Sequence, residues 1–341
     1  MDIINYSFII IFFFSTYFLI FFFKKFKILI DNSHFNHKNF VNQSKPPLAG
    51  GIIILLAILL INQNYVLKFI LFLLFLLGLF SDLLIIKKTS YRIVIQSILI
   101  ISYLIFSNIF VQRINFEIFD IFLQNKIFSI FFTSICLLVL INGSNFIDGV
   151  NNLLSGYYLI VIILIIYIFI QKEIKIDFDY YYYLLISLSV FYIFNMFNKI
   201  YLGDSGSYLL SFFIGILLIN LSNINGVNIS PLFITLLLWY PAFENLFSII
   251  RKLLQNRKIY KPDNSHLHHM IFSFFKKKFK NKNLIIASSL TGNIINLYNL
   301  LIFFISLNFI NSTKYLIIII GINIFIYIFT YYTIKRYLRV A

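Results

Sequence analysis

The sequence predicts an all-α polytopic membrane protein. Of its 341 residues, 60% are hydrophobic and only 12% are charged, whereas a soluble domain is about half apolar and about one quarter charged. Long apolar runs recur along the chain, separated by short polar segments. A run of about 20 apolar residues can cross a bilayer as a helix, and lipid offers no hydrogen-bond partner to a more open backbone. We therefore expect one integral-membrane domain over residues 1–341.

About 11 transmembrane helices are predicted from these runs. In chain order they lie at 5–23, 48–63, 65–81, 93–111, 127–142, 153–170, 180–197, 206–221, 230–250, 284–308 and 315–333.

Each span is bounded by a polar break. Lysine pairs follow the first and third spans at Lys24–Lys25 and Lys87–Lys88, and residues 62–64 divide the second span from the third. Polar loops at 142–152 and 198–207 follow the fifth and seventh spans. The basic segment 251–283 follows the ninth, where the only long loop is expected.

The distribution of basic residues predicts the orientation. With the N-terminus outside and the C-terminus in the cytoplasm, 22 of the 28 Lys and Arg residues fall on the inner side and 6 on the outer side. This asymmetry follows the positive-inside rule. Because topology accounts for the net charge of +16, we expect no nucleic-acid partner. The single cysteine, Cys136, excludes an internal disulfide framework.

Three short polar loops carry acidic residues, and the predicted orientation puts them on the cytoplasmic face. Asp82 ends the sequence GLFSD, Asp148 lies in NGSNFIDGVNNL, and Asp204 lies in the turn of YLGDSGS. A carboxylate at the end of a span is costly unless it faces protein or water. We expect the three acids to meet at one membrane surface and to hold a divalent cation and a diphosphate.

Other side chains of these loops suit the same ligands. Asn142, Asn145 and Asn151 offer amide groups for Mg²⁺, a nucleobase or a sugar. The segment KPPLAGG brings Lys45, a point charge for phosphate, to the start of the second span. The segment from Arg251 to Met270 contributes cations suited to a diphosphate; its candidates are Arg251, Arg257, His266, His268 and His269.

Each motif also has an ordinary structural interpretation. The GDSG turn and the asparagine-rich loop could be helix caps, Asp82 could pair with Lys87, and the basic segment could rest on anionic lipid. The closely spaced histidines could bind zinc, but zinc would need more ligands than they supply.

Taken in order, the motifs KPPLAGG, GLFSD, NGSNFIDGVNNL, YLGDSGS and KPDNSHLHHM resemble those of the polyprenyl-phosphate N-acetylhexosamine-1-phosphate transferases. This group includes the initiators of O-antigen and related bacterial glycans and the phospho-MurNAc-pentapeptide translocase. The resemblance extends from Lys45 to Met270, and eleven spans with an outside N-terminus fit its sugar-phosphate branch.

The resemblance implies roles for individual residues. Asp204 corresponds to the Mg²⁺-binding acid, and Asn145 to a second ligand or a diphosphate contact. Asp82 corresponds to the second acid of a paired Asp-Asp, and Asp148 to the first acid of Asp-Gly-x-Asp-Gly. The histidines and the two arginines of the 251–270 segment correspond to a motif near the nucleotide-sugar phosphates.

Two positions depart from the family pattern. Ser81 stands where the first Asp of the pair is usual, and Asn151 stands where a second Asp is frequent. The first change removes a candidate base. A phosphate nucleophile is already ionised near neutral pH and needs positioning more than deprotonation.

The resemblance implies an Mg²⁺-dependent enzyme, with Mn²⁺ as an alternative cation, of the cell inner (plasma) membrane. It would transfer a sugar-1-phosphate from a UDP-sugar to a polyprenyl phosphate on the cytoplasmic face. Asp82, ahead of Asp148, is the expected group for orienting or deprotonating the lipid phosphate. A secondary transporter, a non-catalytic scaffold and an inactive relative are the alternatives. The UDP-sugar, the glycan pathway and a homodimer are left open.

Overall fold

A computed structural model of the chain describes residues 3–30, 46–61, 64–174, 179–224, 228–258, 265–280 and 282–340. Lys45, an expected phosphate contact, lies outside the described residues. Within these ranges the chain forms fourteen α-helices. They are α1 (Ile3–Phe26), α2 (Gly50–Leu60), α3 (Tyr65–Asp82), α4 (Thr89–Ser107), α5 (Glu117–Leu123), α6 (Lys126–Ile147), α7 (Leu153–Gln171), α8 (Asp179–Met196), α9 (Gly203–Asn223), α10 (Pro231–Leu237), α11 (Trp239–Leu254), α12 (Leu267–Lys278), α13 (Leu284–Leu307) and α14 (Thr313–Val340).

The prediction of an all-α polytopic membrane protein is confirmed. In the described part of the chain, eight helices are long and apolar enough to cross a membrane. The helices α10 and α11, bent by 74° at their junction, count as a ninth span if they are taken together. Each predicted span coincides with one of these helices or with the shorter apolar helices α2 and α8.

The expectation of eleven full-length spans needs correction at α2. This helix has 11 residues and rises only about 17 Å at about 1.5 Å per residue. The hydrocarbon core of a bilayer is about 30 Å thick. The apolar run 48–63 predicted a longer helix, but the helix starts only at Gly50, after Pro46 and Pro47, and ends at Leu60.

The helix α9 lies at the centre of the fold. It contacts α2, α3, α6 and α10, and almost all of its residues are buried. By contrast α1, α4 and α14 expose many large apolar side chains, including Phe18, Phe106 and Phe329. The apolar outside of the helical bundle is consistent with a lipid environment, while α9 holds its first turn against neighbouring helices.

The helices α9 and α3 approach each other closely at Gly78. A Cβ atom added to Gly78 would lie 2.3 Å from the Cα atom of Ser205. Because glycine lets the two backbones touch, Asp82, one turn further along α3, lies beside the start of α9. Small residues at helix contacts have the same effect in many membrane proteins.

A second close contact brings α11 to α6. A Cβ atom at Gly143 would lie 2.0 Å from the carbonyl oxygen of Pro241. The first turns of α11 therefore run along the C-terminal part of α6. The helix α12 packs between α13 and α14, next to the same end of α6.

Replacing Gly78 by alanine should separate α3 from α9, because a Cβ atom has no room beside Ser205. We expect a loss of about 1–3 kcal/mol of stability, the usual cost of overpacking, measured as a lower thermal unfolding midpoint of the purified protein in detergent. Gly321→Ala is the matched control, because nothing lies within 4 Å of the added Cβ atom. Equal midpoints for the two variants would contradict the close α3–α9 contact.

Candidate active site

The side chain of Asp204 lies where four helix ends meet. Its Oδ2 accepts hydrogen bonds from Ser81 Oγ (2.6 Å) and Arg92 Nη1 (2.9 Å). Its Oδ1 accepts a hydrogen bond from Asn145 Nδ2 (2.7 Å). The ends of α3, α4, α6 and α9 thus converge on one carboxylate. We call Ser81, Asp82, Arg92, Asn145 and Asp204 the Asp204 cluster.

Asp82 holds the first turn of α9 through backbone hydrogen bonds. Its Oδ1 accepts from the Asp204 amide at 2.9 Å, and its Oδ2 accepts from the Ser205 amide at 3.1 Å. These are amides of the N-terminal turn, where a helix has unsatisfied donors and favours negative charge. Gly203 suits this approach, since it has φ +78° and a Cβ atom there would lie 2.6 Å from Asp82 Oδ2. Asp82 therefore positions the backbone that carries Asp204.

Arg92 belongs to the cluster although the sequence had indicated only a topological role for it. Besides Asp204, its Nη1 donates to Ser81 Oγ at 2.6 Å, and its Nη2 donates to Thr89 Oγ1 at 3.2 Å. One turn further along α4, Gln96 accepts a hydrogen bond from Asn142 Nδ2 (3.1 Å). A sequence signal existed: Arg92 and Gln96 lie four residues apart, on one face of the helix that follows the Asp82 loop.

A second group of polar side chains surrounds the buried carboxylate of Glu244 on α11, which is 1% exposed. Its Oε1 contacts His266 Nδ1 at 2.9 Å and accepts from the Leu267 amide at 3.3 Å. Its Oε2 accepts from the Tyr327 hydroxyl at 2.8 Å. With His268 and His269, these residues form the histidine cluster. Glu244 was missed from the sequence, because it lies within a predicted span without a recognisable motif.

His268 is completely buried in this cluster. Burial, followed by the neighbouring rings of His269 and His266, lowers the pKa of His268 well below its ordinary value. Its imidazole is therefore neutral near pH 7 and adds no positive charge for a phosphate. Any cationic contribution of the region must come from other side chains.

The end of α6 joins the two clusters. Asn145 contacts Asp204, while the next residue, Phe146, lies with its ring centroid 5.1 Å from that of His266. After Asp148, a Cβ atom at Gly149 would lie 2.6 Å from His269 Cε1. Asp148 itself is the C-cap residue of α6. Three predicted motifs, widely separated in sequence, are thus brought together.

Asn151, Arg251 and Arg257 have surroundings different from those of the other predicted site residues: the first two make structural contacts and the third is exposed. Asn151 is buried. Its side-chain Nδ2 donates to Asn198 Oδ1 (3.3 Å), and its backbone N–H donates to Ser288 Oγ (2.9 Å). Asn151 therefore fixes the 148–152 loop. Arg251 is buried and donates to Tyr331 OH (2.9 Å) and to the Ser265 carbonyl. Arg251 thereby anchors the segment that leads to His266, whereas Arg257 is exposed.

The donor atoms of the Asp204 cluster fit Mg²⁺ by type. Asp204 and Asn145 offer carboxylate and amide oxygens, and Mg²⁺ usually takes one or two protein ligands plus water and phosphate oxygens. Among the described residues, no group of three or more His, Cys, Asp or Glu side chains could hold a metal ion. A cation here would need oxygens from water and substrate.

The chain is similar to known sugar-phosphate transferases. Residues 64–222 match the family model described as glycosyl transferase family 4. The chain is 27% identical over 254 residues to the undecaprenyl-phosphate alpha-N-acetylglucosaminyl 1-phosphate transferase of Thermotoga maritima, covering 74% of this chain and 76% of the relative. It is 30% identical over 135 residues to a probable undecaprenyl-phosphate N-acetylglucosaminyl 1-phosphate transferase of Bacillus subtilis, which covers 39% of this chain and 37% of the relative.

A third relative is the undecaprenyl-phosphate alpha-N-acetylglucosaminyl 1-phosphate transferase of Escherichia coli O157:H7. It is 23% identical over 185 residues, which covers 53% of this chain and 50% of the relative. The family match at 64–222 includes the whole Asp204 cluster, whereas the histidine cluster lies beyond it.

Asp82→Asn should destabilise the start of α9, because an amide has one acceptor oxygen for two backbone donors. We expect a loss of about 1–3 kcal/mol, measured by thermal unfolding, together with reduced activity. Reduced activity with unchanged stability would instead indicate that Asp82 acts on the substrate.

Glu244→Gln should loosen His266 and the Leu267 amide, because both contact one carboxylate oxygen. We expect a loss of about 2 kcal/mol, since hydrogen bonds to charged groups contribute roughly 1.5–3 kcal/mol. Tyr327→Phe is the control, because it removes one donor from the other oxygen only. A larger loss of stability in the control than in Glu244→Gln would refute this account.

Proposed function

Because residues 64–222 match the family model described as glycosyl transferase family 4, we propose that the chain transfers a sugar-1-phosphate from a UDP-sugar to a polyprenyl phosphate and releases UMP. The sugar in this proposal is an N-acetylhexosamine, and the lipid is undecaprenyl phosphate. The names of the relatives support the lipid and the sugar class. The observation that carries the proposal is the convergence of Ser81, Arg92 and Asn145 on Asp204, beside the histidine cluster.

In the proposed reaction, an oxygen of the lipid phosphate attacks the β-phosphorus of the UDP-sugar. A new P–O bond forms there, the bond from the β-phosphorus to the bridging oxygen breaks, and UMP leaves with that oxygen. Reactions of this type depend mainly on positioning and on neutralising charge. Asp204 and Asn145 would hold Mg²⁺ or Mn²⁺, which would supply positive charge to the diphosphate and the leaving group.

The remaining residues of the chain would act by positioning and by charge. Asp82 keeps Asp204 in place through the two amides of α9. Both carboxylate oxygens of Asp82 accept hydrogen bonds from these backbone amides. We therefore assign Asp82 a positioning role in preference to the role of a base. Asp148, at the C-terminus of α6, would face the lipid phosphate. Asn142, Arg257 and Lys45 would contribute contacts to the nucleotide sugar.

The histidine cluster would bind the nucleotide end of the substrate. Glu244 contacts His266 Nδ1, so Nε2 is the ring nitrogen of His266 left for a ligand. His268 is buried and neutral and would shape the site together with His269. Arg251 would hold the preceding segment in place through Tyr331.

We place this site on the cytoplasmic side of the plasma membrane, with the N-terminus outside. The distribution of 22 basic residues on the inner side against 6 on the outer side supports this orientation. A polyprenyl chain needs an apolar surface, which the lipid-facing helices offer. A transporter would be expected to hold its polar residues near the middle of the membrane, whereas the side chains that contact Asp204 lie at helix ends.

Asp204→Asn should lower UMP release by at least about a hundredfold, because groups that stabilise transferred charge contribute two to three orders of magnitude. The assay combines purified membranes with undecaprenyl phosphate and a panel of UDP-sugars. Lys88→Gln is the control, since Lys88 is exposed and outside both clusters. Turnover of Asp204→Asn equal to wild type would refute the role of this carboxylate. Wild-type membranes that release no UMP from any UDP-sugar would refute the proposed function.

A further inference from the structure

The guanidinium of Arg92 occupies one of the two oxygens that the Asp204 carboxylate could offer to a cation. Arg92 Nη1 lies 2.9 Å from Asp204 Oδ2 and 2.6 Å from Ser81 Oγ. The Ser81 hydroxyl itself lies 2.6 Å from the same carboxylate oxygen. The side chains of Arg92 and Asp204 are 20% and 14% exposed, so the pair is shielded from water but can still be reached by small solutes.

A divalent cation that uses Oδ2 of Asp204 has to compete with these donors. The lone pairs of Oδ2 face two donors, and Oδ1 faces the amide nitrogen of Asn145 at 2.7 Å. Asn145 can turn its amide and offer its oxygen to the cation. Arg92 has no acceptor atom and keeps its charge at every ordinary pH, so it must leave Oδ2 before a cation can take that oxygen.

The neighbouring residue at position 81 makes this competition strong. Ser81 is a neutral hydrogen-bond partner for both Arg92 and Asp204. A hydroxyl can bridge the two groups but cannot balance the charge of either. The guanidinium is therefore directed onto Asp204 itself.

Arg92 can leave Asp204 by rotation of its side chain alone. It lies in the first turn of α4, and its Nη2 donates to Thr89 Oγ1 at 3.2 Å, at the start of the same helix. Rotation about the long side chain can move Nη1 away from Asp204 while the backbone of α4 stays in place. Arginine binds phosphate oxygens with its planar fork of donors.

We propose that Arg92 is the counter-ion of Asp204 in the cation-free protein, that a divalent cation displaces it, and that the displaced guanidinium then binds the diphosphate of the substrate. The last step rests on the proposed function, whereas the competition at Asp204 does not. In this proposal, binding of the cation releases Arg92 from Asp204 and thereby makes its guanidinium available to the substrate.

Mn²⁺ binding to the full-length protein in detergent, followed by electron paramagnetic resonance of the free ion, tests the competition directly. Arg92→Gln should bind Mn²⁺ about tenfold more tightly than wild type, because a charge-assisted hydrogen bond no longer has to be broken. Lys88→Gln, which removes an exposed charge four residues away, should change the affinity less than about twofold, because exposed charges are screened.

Ser81→Ala provides a second test that does not depend on how Arg92→Gln folds. Removing the hydroxyl takes one partner from the guanidinium and one donor from Asp204, so Mn²⁺ should bind about two- to threefold more tightly. Weaker binding would mean that Ser81 helps to hold the cation. Unchanged or weaker Mn²⁺ binding in both variants, or no Mn²⁺ binding by wild type and variants alike, would overturn the proposal.

Kinetics separate this proposal from the proposed function. At saturating Mn²⁺, Arg92→Gln should raise the KM for the UDP-sugar about tenfold despite its tighter cation binding. If Arg92 had only a structural role, its replacement would weaken cation binding and UDP-sugar binding together. An unchanged KM would overturn the recruitment step. If wild type releases no UMP but the order of Mn²⁺ affinities holds, the proposed function fails and the competition stands.

Discussion

The charge of Asp204 is the constraint on which the rest of the site depends. A carboxylate among membrane-spanning helices is costly unless donors and positive charge surround it. The chain meets this requirement with Asn145, Ser81 and Arg92, taken from three different helices. Asp82 adds a second carboxylate, which is satisfied by the backbone amides that start α9. The close approach of α3 and α9 at Gly78 makes these contacts feasible.

The C-terminal end of α6 connects the Asp204 cluster with the histidine cluster. Asn145 reaches the Asp204 cluster, and Phe146 and Gly149 reach the histidine cluster, within five consecutive residues. Such an arrangement suits a substrate with two ends, such as a nucleotide diphosphate sugar. The buried Glu244 keeps His266 on this side of the bundle through a direct contact at 2.9 Å. A shift of α6 against α9 or α11 would therefore disturb both clusters together.

The residues that the sequence did not reveal as part of the site share a property. Arg92 looked like a topological charge after the third span, and Glu244 lies within an apolar run. Neither belongs to a motif of its own, and each acquires its role from partners more than 20 positions away, Asp204 for Arg92 and His266 for Glu244. Asn151, by contrast, lies in a conspicuous motif, yet its side chain contacts Asn198.

The sequence by itself determined the membrane class and the approximate place of the helices, because hydrophobic length and polar breaks are local properties of the chain. It also indicated the polar segments that carry Asp82, Asp148 and Asp204, but it assigned them to loops, whereas Asp82 ends α3, Asp148 caps α6 and Asp204 lies in the first turn of α9. It could not decide that α2 is only 11 residues long. Nor could it decide which acid binds backbone amides and which meets an arginine. Those outcomes depend on how closely helices pack, and at Gly78 and Gly143 that distance is set by contacts between remote segments. Tertiary structure alone therefore decided that Asp82 holds the start of α9 while Asp204 faces Arg92.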